Sequence, residues 1–117
     1  MVLIISPDPV AAALLGALIE TLGYTVRFAS PPEPADRAVR RVRPGVCLLD
    51  CEDSEHCSDE FLGRAAMRGL SVVVFGRRDA LERLRALVLQ HRIEMLIVPS
   101  DVAAVDETLG RAMKKAG

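Results

Sequence analysis

Residues able to do chemistry crowd around one point of this 117-residue chain. Asp50, Glu52, Asp53, Glu55, Asp59 and Glu60 place six carboxylates within eleven residues, with no Lys or Arg among them. Such a run can recruit a divalent cation, with Asp50 and the backbone carbonyl of Glu52 as ligands, or it can dock a basic partner. It is equally the composition of a solvated loop whose Asp59 and Glu60 favour the start of a helix. Cys51, His56 and Cys57 add the ligand types of a zinc or redox site. A C-x5-C pair with one His lacks the second ligand pair of a zinc motif, so chance spacing is the simpler account. Cys47 sits inside an apolar run and reads as a small core residue.

Other chemistries are excluded by the residues that would have to perform them. A nucleotide or flavin phosphate is cradled by backbone N–H groups of a glycine-rich loop ahead of the first helix. Here that loop is Ser6, Pro7, Asp8, Pro9, which has no glycine, lacks two N–H groups and carries a carboxylate. His56 lies in an acidic loop and His91 at a helix end, so no Ser-His-Asp or Cys-His arrangement is offered, hydrolase chemistry has no support and the chain is not read as an enzyme. Fifteen basic residues against sixteen acidic give a net charge of −1, and only 3% of residues are aromatic, with no Trp. Neither phosphate neutralisation nor base stacking is provided for, so nucleic acid is not an expected partner. The apolar run Val2 to Ile5 stops at Ser6 and Pro7, and no stretch reaches membrane-span length. Three cysteines make an odd count and suggest a reducing compartment, hence a soluble, cytoplasmic protein. Arg outnumbers Lys thirteen to two, a bias that fits a GC-rich bacterial genome and carries no functional message.

The elements that must position these residues follow from periodicity. Short aliphatic runs at Val2 to Ile5, Tyr24 to Ala29, Val46 to Leu49, Ser71 to Phe75 and Met95 to Val98 predict five strands buried on both faces. Between them lie amphipathic segments. Asp8 caps the first, with Pro9 at its first position, Gly23 beyond its end, and Val10, Leu14, Leu18 and Leu22 on one face beside Leu15 and Ile19. Pro34 to Val42 predicts a second, basic helix closed by Pro44 and Gly45. Ser58 caps a third that turns Phe61, Leu62, Ala65 and Ala66 inward and ends near Gly69. Asp79 and Glu82 have capping-box spacing ahead of Leu84, Leu87 and Val88, and a fifth helix from Ser100 or Asp101 buries Val102, Val105, Leu109 and Met113. Five-fold β-α alternation predicts a parallel sheet with helices on both faces, because parallel neighbours need crossovers. Ligands of such sheets bind beyond the carboxyl ends of the strands. There the chain offers Ser6, Pro7 and Asp8; Ser30 and Pro31; Asp50, Cys51 and Glu52; Gly76 and Arg77; and Val98, Pro99 and Ser100. The arginines of Arg37 to Arg43 and Arg77 to Arg92 read as solvated faces, with Arg77 and Arg78 able to approach the acidic run.

On these runs the chain resembles the receiver domains of two-component response regulators. VLIISPDP (Val2 to Pro9), VCLLD (Val46 to Asp50), VVVFG (Val72 to Gly76), MLIVP (Met95 to Pro99) and the turn Leu22 to Val26 carry the resemblance, which spans residues 1–117. It implies a flavodoxin-like (βα)5 three-layer sandwich with a five-stranded parallel sheet, and Asp50 at the phosphoacceptor position. The rest of the family's chemical set is replaced. Ser6 and Pro7 stand where two acids hold Mg2+, with Asp8 one residue late, readable as a displaced metal ligand beside Asp50 and Glu52 and more simply as a helix cap followed by Pro9. Gly76 replaces a Thr or Ser hydroxyl, Met95 a switching aromatic, and Val98 the Lys after the fifth strand.

Phosphoryl transfer needs positioning and neutralisation of the oxygens of the transferred group. The bond that Val98 cannot make is by itself worth roughly 1.5–3 kcal/mol. The expectation is therefore a degenerate receiver-like domain, independent of phosphorylation, without a cofactor, acting through contact with a signalling protein or with itself. The resemblance places that contact, including a homodimer, on the fourth helix, fifth strand and fifth helix. With the chain used up by one such domain, any effect passes through a partner. The alternative is a conventional phospho-accepting receiver within a phosphorelay, using Asp50 with Mg2+.

Overall fold

The computed structural model describes residues 1–29, 33–52 and 57–116. Its strands are β1 (Val2–Ile5), β2 (Val26–Phe28), β3 (Val46–Asp50), β4 (Ser71–Gly76) and β5 (Glu94–Ile97), and its helices are α1 (Pro9–Thr21), α2 (Ala35–Val42), α3 (Asp59–Met67), α4 (Arg78–Glu82), α5 (Arg85–His91) and α6 (Val102–Lys115). The strands form one parallel sheet in the order β2-β1-β3-β4-β5. The order reverses at β1, which brings the ends of β1 and β3 side by side at the switch point.

Strand alternation divides the core into two layers. Val2, Ile4, Val46, Leu48, Val73 and Phe75 face α1 and α6, where Leu15, Ile19, Val105 and Leu109 close over them. Leu3, Ile5, Cys47, Leu49, Val72 and Val74 face the opposite layer, built from α2, α3, α4 and α5. Both faces of β1, β3 and β4 are thus covered, and each strand reads as an unbroken apolar run. The sheet edges differ from the sequence expectation. β2 keeps only three residues and β5 is half-exposed, because each pairs on one side only.

Helix ends follow the capping residues. Asp8 Oδ1 accepts from the N–H groups of Val10 and Ala11, Ser58 Oγ from Phe61 and Asp101 Oδ1 from Ala104. Gly23 and Gly69 take positive φ after α1 and α3. Gly16 lets α1 approach the sheet, since a Cβ there would lie 2.7 Å from the Phe28 ring.

Several side chains fall on other faces than periodicity predicts. The buried stripe of α1 is Ala12, Leu15, Gly16 and Ile19, so Val10 and Leu14 face outward; Ala66 and Val102 are exposed as well. The segment after β4 is not one helix capped by Asp79. α4 begins at Arg78 without a side-chain cap, and Asp79 lies in its first turn. At Leu84 the backbone tightens, its N–H donating to Leu81 O three residues back, and α5 starts anew. That turn lets Leu81, Leu84 and Leu87 all pack on the core shared with α3.

Candidate functional site at the carboxyl edge of the sheet

Across the edge, β3 and β4 end in Asp50 and Gly76, and Ser6 and Val98 follow directly on β1 and β5. Asp50 is the last residue of β3 and is 6% exposed. Ser6 Oγ donates to its Oδ2 at 2.7 Å and the Glu52 N–H to its Oδ1 at 3.0 Å, so both carboxylate oxygens are engaged. Ser6 is itself fixed by the Asp8 N–H, which donates to Ser6 Oγ at 3.1 Å. The pairing of Ile5 with Leu49 places Ser6 beside Asp50, and both share the sheet face of Ile4 and Leu48. Below the carboxylate, the Asp50 carbonyl accepts from Cys57 Sγ at 3.6 Å, and the Cys51 N–H donates to Phe75 O at 2.9 Å.

The remaining positions are spent on structure. Asp8 directs its carboxylate to the first turn of α1, and Pro7 lies exposed on a groove of about 430 Å3 with Pro9, Phe28 and Ala29. Val98 packs on the α1–α6 core and Met95 on the opposite one. Glu52 is exposed. Among the described residues no three His, Cys, Asp or Glu side chains gather where one ion would touch them all. Ser30, Pro31, Asp53, Glu55 and His56 lie outside the described residues, and with them two of the six carboxylates of the acidic run and the histidine of the zinc or redox constellation.

One occupant of the site escapes a reading by residue type. A Cβ on Gly76 would lie 2.0 Å from Cys51 Sγ. The space where the resemblance puts a hydroxyl is filled by the Cys51 thiol, which any side chain at position 76 would have to displace. Strand parity held the clue, since Cys51 continues the Cys47–Leu49 face rather than that of Asp50. Burial raises the Cys51 thiol above its ordinary value, the charges of Asp50 and Glu52 add to that, and Arg83 opposes it. Arg83, from the turn between α4 and α5, thus acts on the Cys51 thiol; nothing in the sequence pattern marks it. Arg77 and Arg78 are exposed and have no ion pair among the described residues. Cys47, inside β3, is pushed up to about 12 by burial and then by Cys57.

No family model matches the sequence, and no curated protein is detectably similar to it. The fold does have counterparts among solved structures. The receiver domain of NtrX from Brucella abortus superposes with a TM-score of 0.78 at 15% identity, covering 97% of this chain and 98% of that one. A response regulator receiver domain protein from Clostridium thermocellum gives 0.77 at 17%, covering 97% and 94%. The BeF3-activated conformation of SdrG from Pseudomonas melonis Fr1 gives 0.70 at 20%, covering 96% and 94%. Sheet order, helix placement and these superpositions agree: the chain has the receiver-domain, flavodoxin-like α/β fold.

Proposed function

We propose that this chain is a degenerate receiver-like signalling domain that acts through protein contact and needs neither phosphorylation nor a cofactor. The observation that carries the reading is the closed state of Asp50, whose two oxygens are bonded to Ser6 Oγ and the Glu52 N–H. A phosphoacceptor must present a free oxygen in line with the donor and have cations ready for the incoming charge. Here Asp8 caps α1, Val98 is apolar, and the thiol of Cys51 takes the place of a hydroxyl. Mg2+ demands near-octahedral oxygen ligation at about 2.0–2.1 Å, and the Asp8, Asp50 and Glu52 carboxylates do not converge to supply it. No catalytic step is assigned to the domain; its output is a contact with another protein.

The phospho-accepting alternative draws support from the placement of Asp50 at the end of β3 in a fold shared with a BeF3-activated protein. The two readings part in one measurement. With Mg2+ and acetyl phosphate or beryllofluoride present, amide NMR signals of residues near Asp50, such as Ser6, Glu52 and Gly76, are expected to stay in place. Saturable shifts that vanish in Asp50→Ala overturn the degenerate reading.

A further inference from the structure

Two outward faces on opposite sides of the sheet are left unused by fold and site. The first belongs to α1 and the start of α6. Glu20 is the only charge from Pro9 to Thr21, and a helix so apolar all round is ordinarily covered. Yet Val10 is 66% and Leu14 70% exposed. On α6, Arg111 and Lys115 reach Glu94 of β5; at 3.6 residues per turn, Val102 lies on the other side of that helix, toward α1, and it is 50% exposed. Between the helices runs a groove of about 350 Å3 floored by Leu15, Leu18, Phe75 and Val98. The charges beside this groove are Asp8, Asp101 and Asp106, none in an ion pair among the described residues, while Glu20 lies on the far side of α1 and no Lys or Arg occurs from Val102 to Gly110.

The second face is the outside of α5. Leu89 is 72% exposed, and Arg85 and Arg92 flank it at i−4 and i+3, the spacing of neighbours on one helical face. Arg92 has no ion-pair partner among the described residues, and Arg85 reaches only Glu82, at 3.8 Å, through two exposed side chains. One face is thus an apolar groove with an acidic rim, the other an apolar knob between two cations.

We propose that the chain associates head to tail with a second copy, Leu89 of one copy seated in the α1–α6 groove of the next and its flanking arginines against the acidic rim. Pairing either face with itself would set like charges opposite one another, which costs several kcal/mol. The two faces lie on opposite layers, so they cannot meet within one chain. A heterologous contact of this kind repeats, leading to a ring or an open chain rather than a two-fold dimer. This differs from the homodimer through the fourth helix, fifth strand and fifth helix that the resemblance suggested. It deepens the reading of the chain as a contact module and does not depend on the state of Asp50, so Asp50-dependent NMR shifts would overturn the degenerate reading and leave this assembly standing.

The test is sedimentation velocity from about 10 μM to about 1 mM protein, concentrations over which a weak self-association populates its oligomers by mass action. Wild type is expected to gain mass with concentration, and to lose that gain in about 1 M salt, where the Debye length is about 3 Å. Leu14→Lys spoils the groove and Leu89→Glu the knob; each alone is expected to be monomeric, with unchanged thermal melting because both side chains are exposed. Mixed in equal amounts, they keep one intact groove and one intact knob, and should form a dimer that grows no further. Wild type that stays monomeric throughout, oligomers that survive either substitution, or a mixture that remains monomeric would each overturn the proposal.

Discussion

Gly76 and Cys51 form a unit at the carboxyl edge, the thiol resting where any side chain at 76 would project. Adding even a methyl group forces the Cys51 side chain or β4 to move, and overpacking of this kind costs typically about 1–3 kcal/mol. Gly76→Ala is expected to lower the denaturation midpoint accordingly, and Cys51→Ala in the same chain to recover most of the loss. The double-mutant cycle in urea measures the coupling; simple additivity would mean that the two residues do not compete for the same space. The neighbourhood also works against reactivity of this cysteine. Burial and two carboxylates hold the thiol in its protonated form, and the thiolate is the reactive species.

At the scale of elements, β5 is the edge strand most in need of fastening, and α6 supplies the fastener. Glu94 receives Lys115 Nζ at 2.9 Å and lies 3.4 Å from Arg111 Nε, and Lys115 also donates to the Arg92 carbonyl. Burial works to raise the Glu94 carboxyl, but the Lys115 hydrogen bond and charge, with those of Arg111, outweigh it and hold the group below the ordinary carboxylate range. A carboxyl depressed by folding stabilises fully above its unfolded value and loses that contribution as pH falls toward the depressed one. Wild type should therefore lose more stability than Glu94→Gln between pH 7 and about 3.5, below the ordinary Glu value of about 4.3. Urea midpoints at the two pH values decide it, and parallel losses would show that the clamp contributes nothing.

For the whole molecule, sheet order sets the gradient of stability. β1, β3 and β4 are bonded on both sides and covered on both faces, whereas β2 pairs only with β1 and exposes Arg27 and Phe28. Amides of central strands open only with global unfolding, while edges open locally. Hydrogen exchange should therefore be slowest at Leu3, Leu48 and Val73 and faster at Arg27 and Phe28; uniform protection across the sheet would contradict this ordering. Charge is also arranged at this scale. The net −1 is a sum over an acidic α1–α6 face and arginine-bearing faces on α2 and α5, and it is this separation that head-to-tail contact would use.

Much of this architecture is legible in the chain itself. Short aliphatic runs and amphipathic intervals specify alternating strands and helices, Asp8 and Ser58 specify helix starts, Ser100 or Asp101 another that the structure assigns to Asp101, and Asp50 marks the end of a strand, because periodicity and capping are local physics. What the chain alone leaves open depends on neighbours distant in sequence. Ser6 becomes the partner of Asp50 through the β1–β3 register, Gly76 lies against a thiol twenty-five residues away, and the charge of Arg83 acts on that thiol from the end of α4. In the same way α1 has apolar residues on every side, so its sequence cannot select which stripe is buried. Packing on the sheet chooses Ala12, Leu15, Gly16 and Ile19, the side where Gly16 permits close approach, and leaves Val10 and Leu14 facing outward.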